Sequence, residues 1–577
     1  MKQKYDVIVL GSGIAGSITA LVLQQCGIRT LVVEHKTHPR FAIGESTLPT
    51  NTLILNQLAR THNIPELAEI CSYPGLQKNG CAAWPKQVFW FGVHRAGLPL
   101  EPRHESINEA LLAPIGPDVH MLRADVDAFL VSLFGKYGVD YVDNTEVLDF
   151  RSDADGARVW TRGPAGEREV GAQLVVDATG HTSFLAKRFG LRDQEARLHT
   201  NTRSIFGHFT AVNDLDDTLG GPNPTFRFRR SAGTMHHCFP GGWIWVIPFD
   251  NGVTSVGLEL DRRIYPLDES VPADEEFRAF IERYPSIKAH LAGLTPTRSL
   301  IRSDRIQFTS NSILGDRFIL TPHAAAFVEP LFSTGLMLTL AFVVRFVPEA
   351  CAAYRENDWN TGRFRMIEKI FFEEIDQIDL LVNGLIQSFR DYDLFKQYWR
   401  TWVLGTLVQY GACILTNGVT RTWPMLYGSG MVRYVDDLKK MYILVCEAEA
   451  DPKIQAQKIK EQIDPWWRRL LSPLCDLRGD FSIDSEFAIN VFPDVMDYPA
   501  FLDVLLDIQK AHWPGDANMT LAHMHQWVEH AKLDYVRQRE MYIHSRQHET
   551  ELYQAYDRIF ATANPAVFDY RQKLNLN

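Results

Sequence analysis

The first apolar positions of the chain form a short unbroken run, Val7-Ile8-Val9-Leu10, and then, past a glycine-rich break, a longer one from Ile14 to Cys26. A short continuous apolar run predicts a strand buried on both faces, and the longer one predicts a buried helix. Gly27 stands where a helix end takes a left-handed residue, and Thr30-Leu31-Val32-Val33 predicts a second strand ending in Glu34. The break itself is Gly11-Ser12-Gly13-Ile14-Ala15-Gly16. Gly11 makes the tight turn, Gly13 lets a pyrophosphate approach the backbone, and Gly16 lets the helix pack on the strand. The free N–H groups of the helix N-terminus then face the phosphates. Glu34 falls about 18 residues beyond Gly16, where an acid accepts hydrogen bonds from ribose hydroxyls. Strand, glycines, helix, second strand and acid together predict a dinucleotide site.

Later segments return to the same sheet. Leu174-Val175-Val176 runs into Asp177-Ala178-Thr179-Gly180, and Ser312 to Leu320 predicts a last turn and strand. Between them, residues 200–300 alternate, as in Thr254-Ser255-Val256-Gly257-Leu258, which predicts an antiparallel sheet. A helix is predicted from Pro49 to His62, and another opening at His120 and running to about Tyr137; residues 71–119 read as irregular strands and loops. Tyr141–Phe150 and Ala157–Thr161 read as short strands, and from about Leu336 the pattern is helical and rich in Trp and Tyr. The fold class is therefore α/β. A discontinuous Rossmann-like nucleotide domain (1–50, 120–195, 300–345) carries an inserted β-rich substrate domain (51–119, 196–299) and a helical C-terminal region (346–577).

Composition excludes several classes. A net charge of −11 over 577 residues, with no basic run, argues against nucleic acid. The eight cysteines are scattered without a C-x-x-C pair, which fits a reducing cytoplasm and argues against a metal site or a disulfide framework. The N-terminus enters the first strand directly, so a signal peptide is not expected. Thr401 to Thr420 carries no charge and has spanning length, but its Gly, Thr, Gln and Asn content favours a buried helix over stable membrane insertion.

These landmarks in this order resemble the FAD-dependent monooxygenases of glutathione-reductase type. Three further stretches narrow the resemblance to the flavin-dependent halogenases. Trp243-Ile244-Trp245-Val246-Ile247-Pro248 matches that family's W-x-W-x-I-P signature. Phe327-Val328-Glu329-Pro330-Leu331-Phe332-Ser333-Thr334-Gly335 matches its F-x-x-P-x-x-S-x-G signature. Lys78, in Leu76-Gln77-Lys78-Asn79-Gly80, takes the place of the family's essential lysine. The segments around His236-His237 and from Arg302 to Leu336 look most like halogenases of phenols and phenylpyrroles.

The resemblance implies a flavin site built from Gly11, Gly13, Ile14, Ala15, Gly16 and Glu34. Arg40, Gly44-Glu45-Ser46 and Arg123 join it, with Asp177-Ala178-Thr179-Gly180, His323 and Pro330 from later segments. It implies a halide site at Ser333-Thr334-Gly335, whose turn presents N–H groups to an anion. Trp243, Trp245 and Pro248 would wall a tunnel between flavin and substrate, and Lys78 would deliver the oxidant. The implied chemistry uses reduced FAD, O2 and chloride or bromide; hypohalous acid reaches the lysine and halogenates a small aromatic substrate. FADH2 would come by diffusion from a separate flavin reductase, because one dinucleotide fingerprint is visible and FAD takes it. Phe332 occupies the position where tryptophan halogenases carry a glutamate, so a phenol or pyrrole substrate fits better than free tryptophan. Where relatives carry Gly-Asp this chain has Pro322-His323, and His323 either takes over the ribityl contact or is a core histidine. Trp399, Trp402, Tyr410 and Trp423 are candidates to sandwich the substrate ring. The rival readings are an aromatic hydroxylase using the same flavin and a non-catalytic flavin-binding homologue.

Overall fold

The computed structural model describes residues 5–109, 118–193, 197–224, 226, 228–415, 432–447 and 450–471. Its nucleotide sheet has six strands in the order Leu314–Gly315, Phe318–Leu320, Leu174–Asp177, Val7–Leu10, Thr30–Val33 and Asp140–Val142. All neighbours run parallel except the first pair. Val7 lies opposite both Leu174 and Thr30, so the C-terminal ends of three strands carry Gly11, Glu34 and Asp177 to one rim. Every residue of these three central strands is buried, as uninterrupted Val, Ile and Leu runs require of a parallel sheet.

A second, eight-stranded sheet is mostly antiparallel and centres on Val88–Val93, Gly233–Phe239, Gly242–Pro248, Thr254–Asp261 and Thr202–Thr210. Its two faces divide the core, because alternate side chains point to opposite sides. Phe89, Phe91, Trp243 and Trp245 pack into the main core shared with the nucleotide sheet and the C-terminal helices. Trp90, Ile244, Val246 and Val256 form a second core covered by the helices Ala273–Ile281 and Pro285–His290.

The long helix Thr334–Glu356 opens the helical region, followed by Arg365–Ser388, Tyr392–Leu415, Val432–Cys446 and Pro452–Leu471. Thr334–Glu356 is apolar and long enough to cross a membrane by composition, yet most of it is buried inside the protein. The segment Thr401–Thr420 is helical as far as Leu415, and Thr401 to Thr406 are buried. Arg400, fully buried, pairs with Asp464 of the last described helix at 2.7 Å.

Two local readings are corrected. His120 does not open a helix: Asp118–Met121 is a strand antiparallel to Ala83–Lys86, and the helix starts at Arg123. Residues 71–119 hold a short helix, Tyr73–Lys78, whose N-cap Ser72 accepts from the Gly75 N–H at 3.2 Å, followed by the strands Ala83–Lys86, Val88–Val93 and Glu105–Glu109. A hydroxyl cap with Pro at the first turn is a local start signal.

Candidate active site

The glycine turn is fixed by close approach. A Cβ on Gly16 would lie 2.0 Å from the Gly11 carbonyl, and one on Gly11 would lie 2.6 Å from the carbonyl of Ala178. Ile14 and Ala15 open the helix behind this turn. Glu34 accepts from the Ser12 N–H at 2.8 Å and the Lys36 N–H at 2.9 Å, and Arg40 stands 3.6 Å away. Burial works against its charge, but these donors hold the carboxyl below the usual carboxylate range. Asp177 accepts from Thr179 and from the Leu185 N–H at 2.7 Å, which fixes the Ala178-Thr179-Gly180 turn beside the glycines. Arg123 grips Asp127 with two bonds of 2.9 and 3.0 Å and donates to the Ile43 carbonyl at 2.9 Å. Its guanidinium faces Gly13 and Gly44. The residues fit a flavin dinucleotide: beside the acid, His38 Nδ1 and the Arg40 Nε–H donor are buried with no partner among the described residues, polar groups that a dinucleotide could satisfy.

The loop that follows leaves this region. Glu45 bonds His208 at 2.9 Å on the second sheet, and the Ser46 hydroxyl bonds Thr234 at 3.0 Å. These two side-chain bonds tie the loop to the second sheet.

Lys78 ends its helix at the surface, with its side chain 69% exposed and its amine on Glu69 at 2.5 Å. The lysine expected to deliver the oxidant is thus an ion-paired surface residue in the structure. The enclosed amine is that of Lys86, which is fully buried on the strand Ala83–Lys86. It donates to the Thr47 carbonyl at 2.6 Å and to the Ser46 hydroxyl at 2.7 Å, and it lies 3.5 Å from the centre of the Phe89 ring. Burial pushes its pKa down to about 7, opposed by Asp118 across the strand pair. Asp118 is itself lifted well above the usual carboxylate range by burial, and neither of its oxygens has a partner. The readable signal was the strand: Trp84-Pro85-Lys86-Gln87-Val88-Phe89-Trp90 embeds one lysine in a core pattern, whereas Lys78 ends a short polar-faced helix.

Further aromatic rings pack outward from Phe89 and its neighbour Phe91. His236 stacks on Phe91 at 4.2 Å and on Trp243 at 5.4 Å. Phe89 meets Trp402 edge-on at 5.6 Å, and Trp402 stacks on Phe332 at 4.7 Å. Trp399 packs on Phe91 at 4.8 Å with its indole N–H unpartnered. The structure thus brings Phe332, Trp399 and Trp402 to Lys86's side of the sheet. Of the other two candidates, Trp423 lies outside the described residues, as does the side chain of Tyr410. Trp243 and Trp245 share one face with ring centres 5.8 Å apart, and Pro248 ends their strand.

Sequence reading did not single out Glu329 as a site residue. It accepts from the Trp243 indole N–H at 2.6 Å and the Leu331 N–H at 2.6 Å. Burial raises its pKa to about 8, and Glu259, buried nearby, is raised as well. This carboxyl thus ties the tryptophan strand to the turn that follows. There the Pro330 carbonyl accepts from the Ser333 N–H at 3.0 Å, Ser333 takes a left-handed conformation (φ 53°), and Thr334 and Gly335 begin the long helix. Gly335 admits His323, whose Nε2 would lie 2.7 Å from a Cβ there. Burial and the Arg123 charge push the His323 imidazole down to about 4, so it sits neutral between the helix start and the Arg123 side of the flavin site.

A parallel sheet with a glycine turn and a buried acid at its rim, an antiparallel sheet carrying two tryptophans, and a buried lysine on the strand between them are the architecture of an FAD-dependent oxidoreductase. Residues 6–214 match the FAD binding domain family model. The chain is 36% identical over 411 residues to the monodechloroaminopyrrolnitrin halogenase PrnC of Pseudomonas fluorescens, covering 70% of this chain and 71% of that one. It is 34% identical over 430 residues to the tetracycline 7-halogenase of Kitasatospora aureofaciens, covering 73% and 76%. The crystal structure of a mutant of the halogenase PltM with FAD superposes with a TM-score of 0.75 at 28% identity, covering 82% of this chain and 97% of that one. The chain belongs to the flavin-dependent halogenases and is an FAD-dependent enzyme.

Proposed function

We propose that this enzyme uses FADH2, O2 and chloride or bromide to halogenate an electron-rich aromatic of phenol or pyrrole type, with hypohalous acid delivered by Lys86. The carrying observation is a fully buried lysine held by Ser46 and Thr47 on one side and by the Phe89 ring on the other. An amine near its neutral form is a nucleophile toward an electrophilic halogen, and a fixed one makes delivery local. When bound, the flavin supplies the oxidising chemistry. The chain's own residues hold it at Gly11–Gly16, Glu34 and Asp177–Gly180, and the turn Ser333-Thr334-Gly335 offers backbone N–H groups to the halide. Trp243 and Trp245 separate the two compartments. The solved PltM complex with phloroglucinol, and the pyrrolnitrin-precursor and tetracycline substrates in the relatives' names, are consistent with an electron-rich ring.

Two alanine variants test the assignment. Lys86→Ala is expected to keep FAD affinity while halogenated product, read by mass-spectrometric isotope pattern, falls roughly 10²–10⁴-fold. Lys78→Ala is expected to halogenate like the parent. The reverse outcome would return the role to Lys78.

A further inference from the structure

The hydrogen bonds of Lys86 do not end at Ser46. Ser46 Oγ lies 3.0 Å from Thr234 Oγ1, and Thr234 Oγ1 lies 2.8 Å from His120 Nε2. The links from Lys86 Nζ to Ser46 Oγ (2.7 Å) and on to His120 form an unbroken file of four side chains, all buried. We propose that Ser46, Thr234 and His120 are a proton relay serving the Lys86 amine, with His120 as its far terminus. The proposal rests on the reading of Lys86 given above.

The polarity of the file is determined by its ends. Lys86 has only donors while charged, and it uses two of them on Thr47 O and Ser46 Oγ. A hydroxyl that accepts from an ammonium passes its own proton onward, so Ser46 donates to Thr234 and Thr234 donates to His120 Nε2. That assigns the imidazole proton to Nδ1, which faces the Pro248 carbonyl at 3.4 Å. The other titratable groups facing this file are Asp118, opposite Lys86 across the strand pair, and His236, from the neighbouring strand. Burial, with the Lys86 charge behind it, holds His120 well below the ordinary histidine value. A proton received there is returned readily.

The relay closes the proton balance of halogen transfer. A charged Lys86 sends one proton through Ser46 and Thr234 to His120 and becomes the free amine. The amine nitrogen attacks the halogen of hypohalous acid; the N–halogen bond forms, the O–halogen bond breaks, and the departing hydroxide takes an amine proton to leave as water. When the aromatic carbon takes the halogen, the N–halogen bond breaks and His120 returns its proton to the nitrogen. The ring cation then loses its proton to the regenerated amine. The sum is hypohalous acid plus arene giving haloarene plus water, with Lys86 charged and His120 neutral as at the start.

The test uses the FAD-loaded enzyme with a flavin reductase, bromide and phloroglucinol as probe, comparing Thr234→Val, Thr234→Ser and His120→Gln with Lys86→Ala. Thr234→Val and His120→Gln are expected to lower product per FADH2 oxidised by roughly tenfold or more, and to move the rising limb of the pH profile to higher pH. Thr234→Ser is expected to restore both, and FAD affinity to stay unchanged throughout. A parental yield and pH profile in Thr234→Val or in His120→Gln overturns the relay, as does equal loss in the valine and serine variants. If Thr234→Val fails to fold, His120→Gln decides with Thr234→Ser as its control. Full product from Lys86→Ala would overturn the lysine assignment instead.

Discussion

Burial gives Lys86 a different chemistry from Lys78, eight positions earlier. An exposed ammonium on Glu69 is a screened surface pair of small consequence. The enclosed amine of Lys86 has a pKa near 7 instead of 10.5, so the unfolded chain binds more protons than the native one between those values. Native stability should therefore rise with pH across that window, and the cost of burying the charge is felt in full below about pH 7. Lys86→Met is expected to raise stability near pH 6 by on the order of 1 kcal/mol, seen as a higher thermal midpoint, with the gain shrinking toward pH 10. Thermal melts at several pH values check this; a gain independent of pH would place the proton elsewhere. Gly13 affords a cleaner test of the flavin site than its neighbours. A Cβ there meets Arg40 Nη2 at 3.4 Å, ordinary contact, whereas one on Gly16 collides with backbone. Gly13→Val should keep the fold and lose FAD, as fluorescence titration would read. The glycines and Glu34 were legible because the turn's covalent spacing sets their roles. The sequence offered Lys86 as the nearest alternative to Lys78, on an apolar strand, but could not rank it first, because its enclosure depends on Ser46, Thr47 and Phe89, which sequence alone does not bring together.

At the scale of elements, the tryptophan strand and the turn before the long helix act as one unit through Glu329. Both motifs were visible in the sequence as separate signatures, while the Glu329 bond to Trp243 joining them was not. Burial raises the Glu329 carboxyl above the usual carboxylate range, opposed by the N–H donors of Trp243 and Leu331, and Glu259 beside it is raised as well. A carboxyl whose folded pKa is raised contributes stability that is present at acid pH, below the unfolded value, and lost as pH climbs through the folded value of about 8. Glu329→Gln should flatten that decline between about pH 5 and pH 8, shown by thermal midpoints; an unchanged slope would mean that Glu329 does not carry it. The helix Tyr392–Leu415 supplies Trp399 and Trp402 to the lysine's face of the sheet, a contact that aromatic density hinted at but could not orient. Trp402→Leu should shift the ranking of phenol and pyrrole substrates more than FAD affinity, since Trp402 touches Phe89 and Phe332 and not the glycine turn. A uniform loss across substrates would assign it to packing alone.

Across the whole molecule, the described residues contain one parallel sheet with a strand–glycine–helix turn, and Glu34, Arg40 and Asp177 gather at its rim, where the proposed reading seats the FAD. The second sheet is mostly antiparallel, and its inner face is filled by Trp243, Trp245, Phe89 and Phe91. The alternation of strand, turn and helix made this division readable from sequence, because local period and turn chemistry determine it. How the C-terminal helices close over the lysine was not readable, since that depends on long-range packing. Among the described residues one glycine turn of this kind is present, and the proposed reading gives it to FAD. The enzyme is therefore expected to take its flavin already reduced. With FAD, bromide, O2 and NADH alone, halogenated phloroglucinol should form at no more than about a hundredth of the rate seen when a flavin reductase is added, a gap of roughly 2.7 kcal/mol in barrier. Photoreduced FAD should restore the rate without any reductase, because what the partner supplies is reduced flavin and not contact. Equal rates with NADH alone would show that this chain reduces its own flavin. Failure of photoreduced FAD where the reductase succeeds would show that the two proteins must touch.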